Sequence, residues 1–276
     1  MHVGLIAGGG ALPHNIVKGA EAAGYPVHVA AIEGSAGAGD FATPARAFPI
    51  ASFGAITKYF RKAGVTHVCM AGNVARPDFS SLKPDLKALR HFPNVARAAR
   101  HGDDALLRAL ADAFEAEGFS ITAPQELAAH LLVPEGTLGR VVAPKGARED
   151  ILKACETARA IGRLDIGQAA VVCNGVVLAV EAQEGTAAML ARVVELPAAI
   201  RGTPTLRNGI LAKMLKPSQD SRTDLPTIGL ETVELADRAG LAGIVVEAGN
   251  AFILDRDAAV EAADAANIFI LGLPQA

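Results

Sequence analysis

The stretch Gly4-Leu5-Ile6-Ala7-Gly8-Gly9-Gly10-Ala11-Leu12-Pro13 shows how the first half of this chain folds. A short apolar run leads into three glycines and then into an Ala-rich segment, which predicts a strand, a tight turn and a helix. Glycine backbone N–H groups, unobstructed by Cβ, can approach a phosphate at the positive N-terminus of the helix. We therefore predict phosphate or nucleotide contact at Gly8, Gly9 and Gly10, with a tight structural turn as the alternative.

The motif departs from the dinucleotide fingerprint G-x-G-x-x-G. Pro13 stands where the third glycine would allow close packing of helix against strand, which argues against a dinucleotide site. Glu33, at the end of the second predicted strand, lies where an acidic residue could bond a ribose. Glutamate is nevertheless common at strand ends, so both interpretations of Glu33 stay open.

A second loop, Ala71-Gly72-Asn73-Val74, follows the predicted strand at residues 67–71. Ligands of open α/β sheets bind beyond the carboxyl ends of the strands, where the Gly8 to Gly10 turn also lies. We predict that Gly72 and Asn73 line the same crevice. The alternative is a turn with asparagine in the left-handed conformation.

Four junctions with the same chemistry indicate the fold class. Each places a glycine just past a predicted helix and before a strand, where it supplies the left-handed C-cap conformation. These glycines are Gly24, Gly64, Gly118 and Gly240. The alternation predicts an α/β protein with an N-terminal Rossmann-like domain and a C-terminal mixed α/β domain.

The first half predicts a small, mostly parallel sheet. Strands are expected near residues 2–7, 27–32, 67–71 and 119–122, and helices near 12–23, 53–63, 80–91 and 103–117. Residues 131–137 combine proline and glycine between two patterned halves, which suits a linker. The predicted domains are therefore residues 1–132 and residues 138–276.

The second half predicts a mixed sheet with two hairpins. Strands are expected near residues 140–143, 169–173, 176–181, 209–214, 243–247, 251–254 and 268–271, and helices near 147–162, 186–196, 227–239 and 257–266. Asn174-Gly175 lies between two apolar runs and is the strongest two-residue signal for a hairpin turn. Gly249-Asn250 separates two further apolar runs and predicts a second hairpin.

Composition excludes several classes of protein. The chain has 276 residues, 51% of them hydrophobic and 20% charged, with a net charge of −3. It is too apolar for a disordered chain and has no global positive field for polyanions, so we expect no nucleic-acid partner. Its three cysteines, Cys69, Cys155 and Cys173, are widely separated and odd in number, which argues against a disulfide framework.

Other sequence signals are absent. The seven histidines show no zinc-ligand spacing, and neither a G-x-S-x-G elbow nor a P-loop occurs. We find no signal peptide and no apolar run of the roughly 20 residues that a bilayer span needs. We expect a cytoplasmic protein.

Residues 83–101 carry local positive charge. Five cations accompany a single acid, Asp85; they are Lys83, Lys87, Arg90, Arg97 and Arg100. Such a stretch can meet anionic lipid headgroups or a phosphate, and an ordinary solvated helix face is the alternative.

The polar loop from Lys213 to Pro226 is the most informative part of the second half. It holds two lysines, an arginine, a glutamine and two aspartates. Cations neutralise phosphate oxygens, and carboxylates hold Mg²⁺ or activate water. On spacing alone, a solvated connection is an equal alternative.

Four segments together resemble a known family. They are the glycine stretch quoted above, Gly102-Asp103-Asp104-Ala105-Leu106-Leu107, Glu181-Ala182-Gln183-Glu184-Gly185-Thr186, and Lys216-Pro217-Ser218-Gln219-Asp220-Ser221-Arg222-Thr223-Asp224-Leu225-Pro226-Thr227-Ile228-Gly229. The chain resembles the two-domain UDP-2,3-diacylglucosamine pyrophosphatases of lipid A biosynthesis, which are unrelated to the metallophosphoesterase form. The resemblance spans nearly the whole chain, and the last segment is its specific part.

The resemblance implies a lipid substrate held between a Rossmann-like domain and a catalytic domain of the family's own fold. It implies Mg²⁺-dependent attack of water on the α-phosphorus, giving UMP and 2,3-diacylglucosamine 1-phosphate. Asp224 and Asp220 would be catalytic carboxylates at the metal, and Lys213 and Arg222 would act at the diphosphate. Gln219 and Thr186 would bind the substrate, as would Gly8, Gly9, Gly10, Gly72 and Asn73.

One position departs from the family's pattern. Ala187 follows Glu184-Gly185-Thr186, where the family usually has aspartate. A missing carboxylate beside Mg²⁺ would weaken metal binding or water activation, so the chain is either an impaired enzyme or a natural variant.

Rival functions stay open at this point. One is a nucleotide-sugar binding or regulatory module without chemistry, and another is a nicotinamide-dependent oxidoreductase, which Pro13 opposes. A lipid substrate fits peripheral contact with the anionic inner face of the membrane. A homodimer is one alternative for the oligomeric state.

Overall fold

The computed structural model describes residues 1–75, 82, 85–98, 102–216 and 225–275. These residues divide into two compact units, residues 1–130 and residues 131–275. In the described residues the first unit has a five-stranded sheet, and the second has a six-stranded sheet and a two-stranded one. The predicted α/β class is confirmed.

The sheet of the first unit is entirely parallel. Its strands are β1 (Val3–Ala7), β2 (Val27–Ile32), β3 (Ala45–Phe48), β4 (His67–Ala71) and β5 (Ser120–Ile121). They lie in the order β3-β2-β1-β4-β5, which matches the first five strands of the doubly wound order 3-2-1-4-5-6. The helices around it are α1 (Leu12–Ala22), α2 (Phe53–Lys62), α3 (Leu86–Ala98), α4 (Asp103–Ala116) and α5 (Pro124–Leu127).

Aromatic side chains fill one side of this sheet. Five phenylalanines of one buried cluster pack there, from β3, α2, α4 and the segment before β5: Phe48, Phe53, Phe60, Phe114 and Phe119. Their bulk explains Gly4 in β1, because a Cβ at Gly4 would lie 2.8 Å from the Val65 side chain and 3.0 Å from the Phe60 ring. The aromatic core therefore dictates a glycine inside the first strand.

Two elements of the first unit differ from the prediction. Strand β3 was not predicted, because this short edge strand exposes Arg46 and Ala47 and lacks an apolar run. Helix α3 begins at Leu86, later than the predicted start near residue 80. Residues 76–81 and 83–84 lie outside the described residues.

The six-stranded sheet of the second unit is mixed, as predicted. The strands of this unit are β6 (Gly136–Leu138), β7 (Ala169–Cys173), β8 (Val176–Val180), β9 (Ile210–Lys213), β10 (Thr227–Ile228), β11 (Gly243–Glu247), β12 (Phe252–Ile253) and β13 (Phe269–Leu273). The order of the large sheet is β6-β13-β11-β9-β7-β8. Strands β9, β11 and β13 are parallel, while β6, β7 and β8 pair antiparallel with their neighbours.

Both faces of this sheet are covered by helices. The helices are α6 (Arg148–Arg163), α7 (Gly185–Glu195), α8 (Leu230–Arg238) and α9 (Arg256–Ala265). Val172, Ile210 and Val245 pack with α6, whereas their sequence neighbours pack with α7, α8 and α9. Successive strand residues point to opposite faces, so burial on both faces requires unbroken apolar runs.

The hairpin at Asn174-Gly175 is confirmed. Strands β7 and β8 pair antiparallel, and φ is 50° at Asn174 and 74° at Gly175, as a type I′ turn requires. Asp150 holds the turn, because its carboxylate accepts the N–H groups of Asn174 (2.7 Å) and Gly175 (2.6 Å).

The hairpin predicted at Gly249-Asn250 is wrong. Strand β11 lies in the large sheet, whereas β12 pairs parallel with β10 in the two-stranded sheet. The Phe252 N–H donates to Pro226 O at 2.8 Å, and Phe252 is fully buried. The turn residues allow a hairpin, but burial of Phe252 directs the chain into another layer.

The stretch predicted as a linker belongs to the second unit. The Val133 N–H donates to Ala251 O at 2.9 Å, and β6 pairs antiparallel with β13. The strand predicted near residues 140–143 is therefore wrong, and the actual strand lies a few residues earlier. Val142 suggested a strand by its type but is 69% exposed. No helix among the described residues is long and apolar enough to cross a membrane.

Candidate active site

The glycine turn and the asparagine loop lie side by side at the carboxyl ends of β1 and β4. The Gly8 N–H donates to Ala71 O (2.8 Å), the Gly9 N–H donates to Asn73 O (2.7 Å), and the Asn73 N–H donates to Gly9 O (2.9 Å). The predicted adjacency of the two loops is confirmed. In this strand order the β1–β4 boundary is the switch point where α/β sheets bind ligands.

Close approach of the two main chains explains two of these glycines. A Cβ at Gly8 would lie 2.7 Å from the main-chain oxygens of Gly72 and Asn73, and a Cβ at Gly72 would lie 2.7 Å from Gly9 O. The N–H groups of Gly8 and Gly9 are thus donated within the protein, as in the structural-turn alternative.

Gly10 has a different environment. Its φ is +92°, and a Cβ there would meet no atom within 4 Å. Its N–H has no hydrogen-bond partner among the described residues. Direct phosphate contact at this turn therefore depends on the N–H groups of Gly10 and of the first turn of α1. The sequence had suggested that Gly8 and Gly9 would also donate to the phosphate.

Polar side chains flank this turn. His14, in the first turn of α1, stacks on Phe41 with ring centroids 4.5 Å and planes 9° apart. Glu33 follows β2 and is exposed, with its N–H donated to Phe48 O at 3.0 Å.

The polar loop of the second half falls largely outside the described residues. Gln219, Asp220, Arg222 and Asp224, which the resemblance places at the diphosphate and the metal, all lie there. The two ends of the loop, at Lys216 and Leu225, are described.

The segments flanking this loop are held by lysines. Lys213 ends β9, and its Nζ donates to Thr227 O in β10 at 3.0 Å, which connects the chain before the loop to the chain after it. Lys216 Nζ contacts Asp165 Oδ1 at 2.7 Å, and its side chain is 12% exposed. Lys213 keeps two further N–H groups and lies where the sequence predicts a phosphate-binding cation.

Glu181 organises the neighbouring part of the same edge. Its buried carboxylate accepts the Thr186 hydroxyl at 2.5 Å and the Gln168 N–H at 3.0 Å. Register places Ala169 opposite Lys213, and the Glu181 N–H donates to Ala169 O at 2.8 Å. The structure thus brings Lys213 and Thr186, two of the predicted site residues, to one edge of the sheet.

Gln168 adds an unusual buried group to this edge. Its Oε1 is buried and has no hydrogen-bond partner among the described residues. A buried carbonyl oxygen without a donor is costly, so it marks a place where a donor from a ligand or water would be accommodated.

Ala187 occupies the first turn of α7. The helix begins at Gly185, where φ is +80°, and Ala187 is exposed two residues later. A carboxylate at this position would be stabilised by the helix dipole and would follow directly after Thr186.

A third polar group lies where β11 ends, next to β9. Glu247 is 9% exposed, and its two oxygens accept Arg159 Nη2 and Asn250 Nδ2, each at 3.0 Å. Val246 pairs in register with Lys213, so Glu247 lies one residue past the level of that lysine. The sequence analysis did not predict this cluster. The feature that could have indicated it is the glutamate, Glu247, at the end of the apolar run of β11.

The basic stretch is only partly described. Lys83 and Arg100 lie outside the described residues. Lys87 Nζ contacts Glu117 Oε2 at 2.8 Å, and hydrogen bonds from Lys87 and Arg61 hold the pKa of Glu117 below its usual value. Lys87 is therefore engaged in an ion pair.

Neither a metal cluster nor an activated thiol occurs in the described part of the chain. It contains no group of three or more His, Cys, Asp or Glu side chains placed to hold a metal ion. Burial raises the pKa of the Cys155 thiol to about 11 and also raises the pKa values of Cys69 and Cys173. These thiols are protonated at neutral pH and are poor nucleophiles.

Comparison with known proteins gives matches along nearly the whole chain. The family model described as the LpxI N-terminal domain matches residues 2–131, and the LpxI C-terminal domain model matches residues 134–271. A protein of Caulobacter vibrioides named UDP-2,3-diacylglucosamine pyrophosphatase LpxI is 52% identical over 271 residues, covering 98% of this chain and 97% of that protein.

Proposed function

This chain belongs to the LpxI family, and from that premise we propose that it hydrolyses the pyrophosphate bond of UDP-2,3-diacylglucosamine. The products are UMP and 2,3-diacylglucosamine 1-phosphate. The observation that carries this proposal is the 52% identity to a UDP-2,3-diacylglucosamine pyrophosphatase along 98% of the chain.

The bond changes follow from hydrolysis of a diphosphate. A water oxygen bonds to the α-phosphorus, the bond from that phosphorus to the bridging oxygen breaks, and the acyl-sugar phosphate leaves with the bridging oxygen. Negative charge develops on the leaving phosphate, so cations placed at the diphosphate lower the barrier. Lys213 is proposed for this role with Arg222, while Thr186 and Gln219 bind substrate.

Mg²⁺ is proposed as the cofactor, with Asp224 and Asp220 as ligands. Two neighbouring carboxylates are the oxygen donors that Mg²⁺ takes beside a substrate phosphate. When bound, the ion would neutralise charge on the diphosphate oxygens. The proposal rests on the residue types, since both aspartates lie outside the described residues.

Contacts beyond the active site are also proposed. The acyl chains of the substrate favour peripheral contact with the anionic inner face of the inner membrane. The cations of residues 83–101 would carry that contact. We retain a cytoplasmic location and a homodimer as proposals; gel filtration with light scattering tests the second.

Hydrolysis in H₂¹⁸O tests the proposed reaction. The purified chain, given UDP-2,3-diacylglucosamine and Mg²⁺, should release UMP that carries the label, whereas chelation should stop the release. Label in the acyl-sugar phosphate would move the attack to the other phosphorus. Stoichiometric substrate binding without turnover, also with Asp at position 187, would show a binding module instead.

A further inference from the structure

A groove of about 690 Å³ lies in the first unit between α2 and the edge formed by β2 and β3. Its polar lining consists of His28, Arg46, Lys58, Tyr59 and Lys62, and we call it the cationic groove. His28 is the second residue of β2, so the groove lies toward the amino ends of the strands. The Gly8 to Gly10 turn lies at their carboxyl ends.

The groove concentrates positive charge without compensation. Arg46, Lys58 and Lys62 are exposed, and none of them has an ion-pair partner among the described residues. No carboxylate lines the groove in the described part of the chain. Like charges held together on a protein of net charge −3 repel each other, and a bound anion would relieve that repulsion.

Two acidic residues near the groove make their contacts with residues other than its cations. Glu117 pairs with Arg61 and Lys87, so it neutralises cations outside the groove. Asp85 is not part of the lining; its oxygens accept the main-chain N–H groups of Ala55 (3.1 Å), a lining residue, and of Ala88 (2.8 Å). Arg61, Lys58 and Lys62 all lie on α2, and within the part of the chain that the structure describes Arg61 is ion-paired whereas Lys58 and Lys62 are not.

The walls of the groove are held in place. The Tyr59 hydroxyl donates to Pro44 O at 3.2 Å, and its ring lies 5.5 Å from Phe48 and 6.0 Å from His28 between centroids. The Arg46 guanidinium carbon lies 5.3 Å from the centre of the Phe48 ring. An aromatic wall with a fixed arginine beside it is preorganised for a ligand that has both a charged and a flat or apolar part.

His28 adds a hydrogen-bonding group. Its ring shares a hydrogen bond of 3.1 Å with His2. Burial, together with the nearby His2, lowers the pKa of His28, which disfavours the charged form of its ring. The charge at neutral pH therefore comes from Arg46, Lys58 and Lys62.

We propose that the cationic groove binds a phosphate-bearing ligand, with Arg46, Lys58 and Lys62 contacting the phosphate oxygens and Tyr59 packing against the remainder. The site is independent of the proposed hydrolysis. The same phosphate chemistry can come from a soluble phosphate compound or from a phospholipid headgroup, and the experiment below separates the two sources.

Tyrosine fluorescence gives a local readout, because the chain has two tyrosines and no tryptophan. A Tyr25→Phe variant leaves Tyr59 as the one emitting tyrosine. Inorganic phosphate is titrated in one arm. In the other arm the full chain is sedimented with vesicles of phosphatidylglycerol and phosphatidylcholine, or of phosphatidylcholine alone. A fluorescence response to phosphate supports a soluble ligand. Binding to vesicles that contain phosphatidylglycerol but not to phosphatidylcholine alone supports a lipid headgroup, provided that the lysine variant below loses it; equal binding to both kinds of vesicle counts as no binding at the groove.

Paired variants tie the response to the groove. Lys58→Gln combined with Lys62→Gln should weaken binding by at least about tenfold, because both cations are proposed to contact the phosphate oxygens. Lys18→Gln removes one exposed charge from α1 outside the groove and should leave binding unchanged. Thermal unfolding and hydrolysis of dispersed substrate should match the parent in all variants. The proposal is overturned if neither probe binds, or if the double variant binds as the parent does.

Discussion

At the carboxyl edge of the first sheet the contacts between loops are made by the main chain, whereas where β9 and β11 end in the second sheet they are made by side chains. Gly8 and Gly9 donate their N–H groups to the neighbouring loop. In the second unit the corresponding contacts are made by the charged side chains of Lys213, Glu181 and Glu247. Substitutions at the first edge should therefore change mainly the packing of the loops and the stability of the fold. Substitutions at the second edge should change mainly the activity.

Asp224→Asn, in the polar loop that follows Lys213 in the sequence, should have the largest effect. An amide holds Mg²⁺ poorly and does not activate water, so turnover should fall by on the order of 100-fold or more. Steady-state kinetics at saturating Mg²⁺ measure this, with the exposed Asp257→Asn as a matched control. Turnover close to that of the parent would remove Asp224 from the mechanism.

Gly8→Ala should reduce stability rather than chemistry. The added Cβ would lie 2.7 Å from the main chain of Gly72 and Asn73, and such overpacking costs about 2 kcal/mol. Urea unfolding measures the loss. Gly39→Ala is the control, because a Cβ there would meet no atom within 4 Å. Equal stability of the two variants would contradict the close approach of the two loops.

Thr186→Val should lower the free energy of unfolding by about 1.5 kcal/mol, because it leaves a buried oxygen of Glu181 without its hydroxyl donor. We also expect about a tenfold drop in kcat/KM, because Thr186 is proposed to bind the substrate; this drop corresponds to about 1.4 kcal/mol of transition-state stabilisation. Thr186→Ser keeps the hydroxyl and should recover most of the activity. If serine and valine behave alike, the hydroxyl has no role at this edge.

Ala187→Asp should raise kcat by about two- to fivefold with little change in KM. A two- to fivefold rise corresponds to about 0.4–1 kcal/mol of transition-state stabilisation, which a carboxylate that helps to hold the metal or to activate water would supply. Ala188→Asp, one residue later on the same exposed turn, is the control. Unchanged kcat in Ala187→Asp would show that position 187 has no part in the reaction and that alanine there is a neutral variant.

Alkylation of cysteines should have the smallest effect, in both units. With the pKa of Cys155 raised to about 11, only about one thiol in a thousand is ionised at pH 8. Cys69 and Cys173 are also buried, with raised pKa values. Iodoacetamide at pH 8 should leave activity unchanged, with labelling followed by mass spectrometry; rapid inactivation would reveal an accessible thiolate.

The helices and long strands could be predicted because their signals are local. Glycine C-caps, the Asn174-Gly175 turn and the apolar runs of β7 and β11 act within a few residues, and the structure has these elements where they were expected. Strand β3 lacked such a signal, since Arg46 and Ala47 are exposed at a sheet edge. The second hairpin failed for the opposite reason, because a good turn signal was overruled by burial of Phe252.

The residues of the candidate site could also be predicted only in part from the sequence. Lys213 and Thr186 could be named from residue type and family resemblance, but their common edge depends on the antiparallel pairing of β7 with β9 and on the contact of Glu181 with Ala169. Arg159 and Glu247 are 88 residues apart in sequence, so no local pattern could show that they meet.

The sequence by itself determined the α/β class, the alternation of helices and strands, the glycine turn and the family. The first three follow from backbone preferences and from hydrophobic periodicity, which act over a few neighbouring residues, whereas the family follows from the resemblance of four motif segments. Only the tertiary structure decided that Gly8 and Gly9 use their N–H groups on the Gly72 loop, that Glu181 holds Thr186, and that Arg46, Lys58 and Lys62 share one groove. Whether a hydrogen-bond donor or a charged group has a partner depends on which distant segment packs against it. That packing is determined only when the sheets and helices assemble.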